Sequence, residues 1–270
     1  MKKSGVRMKT AILLGAIFVL PAVVFAQGRG GGRDGAAPAP AAATPKAAAP
    51  IDLTGYWVSL VTEDWRFRMI TPPKGDYASV PLNAAARTVA DAWDPAKDEA
   101  AGEQCKSYGA PAIMRVPGRV HITWENDTTM RVDTDAGTQT RMFKFAAAGA
   151  TPATSVAAGT PTWQGDSVAV WEPAGGGRGR GPAPAGGSLK VVTTHIRPGY
   201  LRKNGVPYSA NATLTEYITK VTEPDSALQL LVVTTIVDDP QYLNQPFVTS
   251  THFKKEPDGA KWSPSPCSAR

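Results

Sequence analysis

The chain has 270 residues, of which 26 are glycine and 24 proline, with a hydrophobic fraction of 42% and a charged fraction of 19%. That content can bury a core but excludes a long helical bundle or coiled coil, because glycine and proline both oppose continuous helix. The formal charge of +6 is accounted for by the seven Lys or Arg and the single Asp of residues 1–50; residues 51–270 balance, and no clustered basic surface points to a nucleic-acid partner.

Lys2, Lys3, Arg7 and Lys9 precede a largely apolar run from Ala11 to Phe25, and Val24-Phe25-Ala26 stands before Gln27. This is the pattern of a secretory signal peptide over residues 1–26. Pro21 interrupts a run shorter than the roughly 20 residues of a spanning helix, so no stable membrane span is expected. Gln27, where a lipoprotein carries cysteine, provides no lipid attachment. A periplasmic or secreted product is the expectation. Residues 27–50 are Gly/Arg-rich and then Ala/Pro-rich, without apolar period, and read as a disordered leader. Gly30-Gly31-Gly32 lacks the preceding strand and following helix of a nucleotide loop.

Residues 51–270 read as one β domain, because most of this stretch alternates with period two. Residues 55–62 place Tyr56, Val58 and Leu60 on one face, and Trp65, Phe67 and Met69 alternate with Arg66 and Arg68. The alanine-rich run from Asn83 to Trp93 breaks the rhythm. Asn83 can cap it and Asp94-Pro95 can end it, giving one or two short helices near residues 83–102. Strands follow at 119–125, 128–134, 140–145 and 167–171. Residues 173–187 form a flexible Gly/Arg/Pro insertion, and further strands are expected at 188–196, 213–222, 228–237 and 247–254. Leu230 to Val233 with Ile236-Val237 is apolar on both faces and reads as a strand covered on both sides. About ten antiparallel strands with turns such as Lys203-Asn204-Gly205 predict an all-β fold, a single closed barrel that leaves no edges, with a β-sandwich as the alternative.

Two cysteines, Cys105 and Cys267, form an even pair in an oxidising compartment and are expected to bond. No cofactor motif is present: no Ser elbow, Walker loop or H-E-x-x-H occurs. His121, His195 and His252 are too widely spaced for a compact metal motif, and no metal is assigned. The polar row His121, Thr123 and Glu125, facing Arg131 and Asp133 across the next hairpin, could do acid–base work if enclosed. His121, Glu125, Arg131, Asp133 and His195 are therefore the catalytic candidates, weighed against a solvated sheet face. Asp238-Asp239-Pro240 reads as turn chemistry, and Glu216 as a partner for Lys220 or Arg202. Trp57, Trp65, Trp124, Trp163 and Tyr217 lie on expected strands, where aromatic rings can line a cavity for a small apolar ligand or fill a core.

Several blocks carry a resemblance. They are Leu82 to Arg87 through Ala92-Trp93-Asp94-Pro95, Cys105 with Ala112-Ile113-Met114, and Trp163-Gln164-Gly165-Asp166-Ser167. Further on come Leu189 to His195, Gly199 to Ser209, Leu214-Thr215-Glu216 and Val237 to Leu243. Over residues 51–267 the chain resembles a broad group of exported bacterial proteins of uncharacterised function. The resemblance implies an envelope-associated, lipocalin-like β domain and no particular reaction. Two features differ from the group's pattern: the insertion separates Gly165-Asp166 from Val191-Val192, and Tyr208 stands where a histidine is frequent. The expected function is an exported barrel binding a small, mainly apolar ligand. An enzyme of hydrolase or isomerase type using the polar strand face, and an envelope interaction protein using its leader and insertion, are the alternatives.

Overall fold

The computed structural model describes residues 43–146, 159–175 and 186–270. The expected signal peptide, residues 27–42 of the leader and residues 176–185 of the insertion lie outside the described residues. The strands are β1 (Gly55–Leu60), β2 (Arg119–Asn126), β3 (Thr129–Thr134), β4 (Gln139–Phe145), β5 (Asp166–Pro173) and β6 (Gly187–Thr194). A short hairpin of β7 (Gly199–Arg202) and β8 (Val206–Tyr208) precedes β9 (Thr213–Thr222), β10 (Gln229–Asp238) and β11 (Phe247–Lys255). Nine of them close into one barrel in the order β1-β11-β10-β9-β6-β5-β4-β3-β2, while β7 and β8 pair with each other. The fold is thus all-β, a single closed barrel rather than a sandwich.

One pair departs from the expected antiparallel order. β4 and β5 are parallel, with Phe143 opposite Ser167 and Phe145 opposite Ala169. The chain between them, residues 146–165, is long enough to return to the end from which β4 started, which a parallel pair requires.

Alternation decides what fills the barrel. Trp57, Ile122, Met130, Phe143, Leu189, Leu231 and Phe253 point inward from seven different strands and are all buried in one cluster. Each such side chain contributes about 1.5–3 kcal/mol when fully buried. β10 is not covered on both sides as its composition implies. Leu231, Val233 and Val237 are buried, but Leu230, Val232 and Ile236 are only half-buried. A barrel has one inside, and the outer residues are shielded only by cross-strand neighbours such as Thr219 and His252 beside Val232.

Residues 61–118 and 195–212 close one end of the barrel around a second apolar cluster that includes Leu82, Ala86, Leu201, Tyr208, Leu214 and Val237. The two expected helices are here, α2 (Ala84–Asp91) and α3 (Pro95–Ala100), capped by the side chains of Asn83 on Ala86 N and Asp94 on Ala96 N. The alternating stretch at Trp65 is not a strand. It forms one helical turn, α1 (Trp65–Arg68), because burying the Arg68 guanidinium beside its partners overrides the local period. A 3-10 turn at Lys106–Tyr108 leads into α4 (Ala110–Ile113). The β7–β8 hairpin turns at Lys203-Asn204-Gly205, where Gly205 has φ +82° and a Cβ would meet Trp93 at 2.2 Å, so glycine is required there.

The end of the expected leader is ordered. Among residues 43–50, Pro45 O accepts the Trp171 indole N–H at 2.8 Å and Lys46 N donates to Asp127 O at 3.2 Å. A half-buried indole needs an acceptor, and a composition-based reading of residues 27–50 does not see that demand. β5 and β6 pair antiparallel up to Pro173 opposite Gly187, the two ends of the expected insertion. Cys105 and Cys267 form the expected disulfide, 162 residues apart in sequence.

Candidate anion-binding site

Five segments meet around a cavity of about 410 Å³: the α1 stretch, the 3-10 turn with α4, the β3–β4 turn at Ala136, the β7–β8 hairpin and the C-terminal tail. Arg68, Arg115 and Arg202 line it, together with Lys203 and Arg270, and no Asp or Glu side chain is among the described lining residues. The three arginines are each less than a tenth exposed. Phe67, Ile70, Val116 and Leu201 supply apolar wall.

Local structure fixes each guanidinium. Arg68 Nε donates to Arg115 O at 2.9 Å and its Nη1 to Glu63. Arg115 Nη2 donates to Asp64 Oδ2 at 3.0 Å. Arg202 stands next to the hairpin turn; its Nη1 donates to Ala78 O at 2.6 Å and its guanidinium lies over the Phe67 ring, 4.1 Å from the centroid. Asn204 holds the 71–78 loop in place by donating to Pro73 O and Asp76 O at 3.2 and 3.0 Å. The disulfide brings the tail alongside, and Ser265 N donates to Asp135 O at 2.9 Å.

Donor capacity is left over. Arg68 Nη2, Arg115 Nη1 and both Nε and Nη2 of Arg202 are buried without a hydrogen-bond partner. Glu63 and Asp64 pair with Arg68 and Arg115, whereas Arg202 makes no ion pair among the described residues. Burial, and after it the Arg115 charge, pull the Arg202 pKa down to about 10 against the weaker opposition of Asp64 and Asp76. The group stays charged at neutral pH. Burial likewise lowers Arg68, with Glu63 opposing and Arg115 reinforcing. Buried cations crowded this way lower their free energy by meeting an anion that accepts their free N–H groups.

The residues singled out from sequence lie elsewhere. Trp57 is buried in the filled core with its indole N–H on Leu53 O at 3.0 Å. Trp124 packs with Phe145 and Trp171 at the edge of that core. Trp65 is exposed on α1, Trp163 lies under the Arg197 guanidinium, and Tyr217 faces outward beside Lys190. The five therefore lie apart: inward rings are consumed by packing and outward ones sit on separate surfaces.

The polar row is on the outside of β2 and β3. His121 is opposite Asp133 and Thr123 opposite Arg131. Arg131 Nε is 2.8 Å from Asp133 Oδ2 along β3 and 3.9 Å separates Arg131 from Glu125 on β2, so the row is an ion-pair group on the sheet surface. His121, Arg131 and Asp133 border a shallow groove of about 250 Å³ with Tyr56 and Trp262, and His121 stacks on Tyr56 at 3.9 Å. Burial lowers the His121 pKa, with Asp133 opposing and Arg131 and Lys255 reinforcing, so the imidazole is a poor proton donor at neutral pH. For Asp133, burial is outweighed by hydrogen bonds from Arg131 and Thr140, which hold the carboxyl below its usual range. His195 lies outside this group, on Asp166 at 2.9 Å, and His252 meets Glu63 at 3.2 Å. Glu216 pairs with neither Lys220 nor Arg202 but with Arg141 inside the barrel.

The turn reading of Asp239 fits its place. It is fully buried, and its carboxylate accepts Ser209 N, Ser209 Oγ and Gln241 N at 2.6, 2.7 and 3.2 Å. Tyr208 packs its hydroxyl against Gly109 and Gly199 and finds no partner for it among the described residues. Tyr208→Phe is therefore expected to raise stability by about 1 kcal/mol, since it removes a buried unpaired hydroxyl. A fall in the urea midpoint would contradict this.

Arg68, Arg115 and Arg202 were not among the sequence candidates. Arg115 and Arg202 stand beside or within apolar stretches, Ala112-Ile113-Met114 and Gly199 to Ser209, which does not by itself set them apart from surface arginines. Arg68 reads as the wet face of a strand. No protein-family model, curated protein or solved structure matches the chain.

Proposed function

We propose that this protein is an exported ligand-binding barrel whose ligand is small, carries an anionic group and presents a compact apolar part. The observation that carries the reading is the set of three buried arginines that line one cavity and hold N–H groups without a partner, with no Asp or Glu side chain among the described lining residues. The expected ligand keeps its apolar part, which Phe67, Ile70 and Leu201 would cover, but its binding determinant is charge. A filled barrel interior moves the binding function from the barrel to its cap. The signal pattern of residues 1–26 and the disulfide support an oxidising, exported setting.

Octyl phosphate and octanol separate charge from apolarity. Calorimetric titration is expected to show saturable binding of octyl phosphate and none of octanol. A hydrogen bond to a charged group is worth about 1.5–3 kcal/mol, so Arg202→Met should weaken octyl phosphate roughly ten- to a hundredfold. Methionine keeps the apolar stem and removes a crowded cation, so the melting temperature should hold. Equal affinity for octanol, or an Arg202→Met protein that binds like the parent, would overturn the reading.

A further inference from the structure

We propose that the α1 lip docks this protein on an anionic bilayer surface, so that the arginine cavity receives a phosphate-bearing lipid headgroup. This rests on the reading of the cavity as an anion site. Trp65, Met69 and Ile70 are 64, 59 and 65% exposed, half of the large apolar residues that stand exposed among the described residues. They fall within six consecutive positions, and Trp65 and Met69, four apart on one helical turn, share a face. A soluble chain exposes such residues singly; a cluster marks a contact surface.

The lip is continuous with the site. The same stretch lines the cavity from Phe67 to Thr71, so Met69 and Ile70 belong to both its rim and the lip, and Trp65 to the lip alone. Cations outnumber acids around it: Arg66 and Lys74 are exposed and Lys203 and Arg270 stand at the cavity, with Arg66 paired to Asp76 and Arg270 3.7 Å from Glu99. Residues 51–270 carry balanced charge, so this basic cluster is a local asymmetry. Tryptophan favours the boundary between headgroups and acyl chains. Each Lys or Arg near an anionic leaflet adds about 1 kcal/mol of attraction. Apolar side chains interleaved with cations match a surface of anionic headgroups over hydrocarbon, which a neutral apolar partner would not.

Flotation with phosphatidylcholine vesicles, with and without phosphatidylglycerol, tests the docking, and octyl phosphate titration reads the cavity in parallel. The intact chain is expected to float only with the phosphatidylglycerol vesicles. Trp65→Ser, which lies outside the cavity wall, should weaken vesicle binding by roughly tenfold while leaving octyl phosphate affinity unchanged. Octyl phosphate binding without flotation would overturn the docking and leave the cavity reading intact, with a protein surface as the lip's occupant. Loss of both would overturn the cavity reading. Flotation of Trp65→Ser equal to the parent, or equal binding to both vesicle types, would also overturn the docking.

Discussion

Arg141→Met is expected to destabilise the protein by about 3–5 kcal/mol, the largest effect of any single substitution considered for this chain. Arg141 on β4 and Glu216 on β9 both point into the barrel with fully buried side chains. Arg141 Nη1 and Nη2 donate to the two Glu216 carboxylate oxygens at 2.9 and 2.5 Å, and Nη2 also reaches Thr193 Oγ1 at 3.4 Å. Ser167 and Thr193 hydroxyls bond at 2.8 Å beside them. Removing the cation leaves a carboxylate in a filled interior with hydroxyl groups as its only neighbouring donors. Glu216→Leu strands the guanidinium in the same way. The double variant Arg141→Met/Glu216→Leu removes both charges and their desolvation, so it should unfold near the parent or at higher urea. Urea titration of all four proteins gives the coupling. A loss below about 1 kcal/mol in either single variant would mean that water reaches the pair, and would sink the account.

Replacing Cys105 and Cys267 together by serine should cost up to about 5 kcal/mol, the chain-entropy value for a loop this long, with less expected if the reduced chain retains structure. The urea slope should rise, because an unfolded chain without the cross-link exposes more surface. The consequence reaches the cavity. Ser265 and Arg270 belong to its wall, and without the bond the tail is held by the Asp135 contact, by Thr138 Oγ1 on Ser265 O at 3.0 Å and by Ser268 N on the Tyr108 hydroxyl at 3.3 Å. Octyl phosphate should bind more weakly in the double serine protein, but by less than in Arg202→Met, since the three arginines sit on other segments. An unchanged urea midpoint would show that the tail adds nothing to the fold.

The barrel was legible because its strands obey one rule. Thr213 to Thr222 alternates outward Thr and Tyr with inward Leu214, Glu216 and Ile218, and β9 has those bounds. The other barrel strands lie within a few residues of their expected positions. β7 and β8 escaped notice because they are four and three residues long and buried almost throughout, so neither shows a period. Their turn, Lys203-Asn204-Gly205, was visible, since a left-handed turn advertises itself through glycine. The 65–69 stretch failed in the opposite sense: it has the period of a strand but lies where a buried arginine needs Glu63 and Arg115 O.

The anion site was hidden for a related reason. Arginine is a surface residue by type, and nothing in Arg68, Arg115 or Arg202 taken singly distinguishes a solvated side chain from one sealed under a cap. Aromatic residues mislead conversely, because a ring on a strand reads alike whether it packs a core, as Trp57 does, or stands in solvent, as Trp65 does.

Sequence alone determined the properties that depend on near neighbours and on composition: the period-two strands, the capped helix at Asn83, the hairpin turn and the balanced charge of residues 51–270. Tertiary structure alone decided the rest. It set which face of each strand is inside, that β4 and β5 run parallel, that Arg141 meets Glu216, and that three distant guanidinium groups share one cavity with donors to spare. The physical reason is that burial and charge pairing belong to the space between segments. A side chain's worth there is set by what the closing barrel and its cap bring against it.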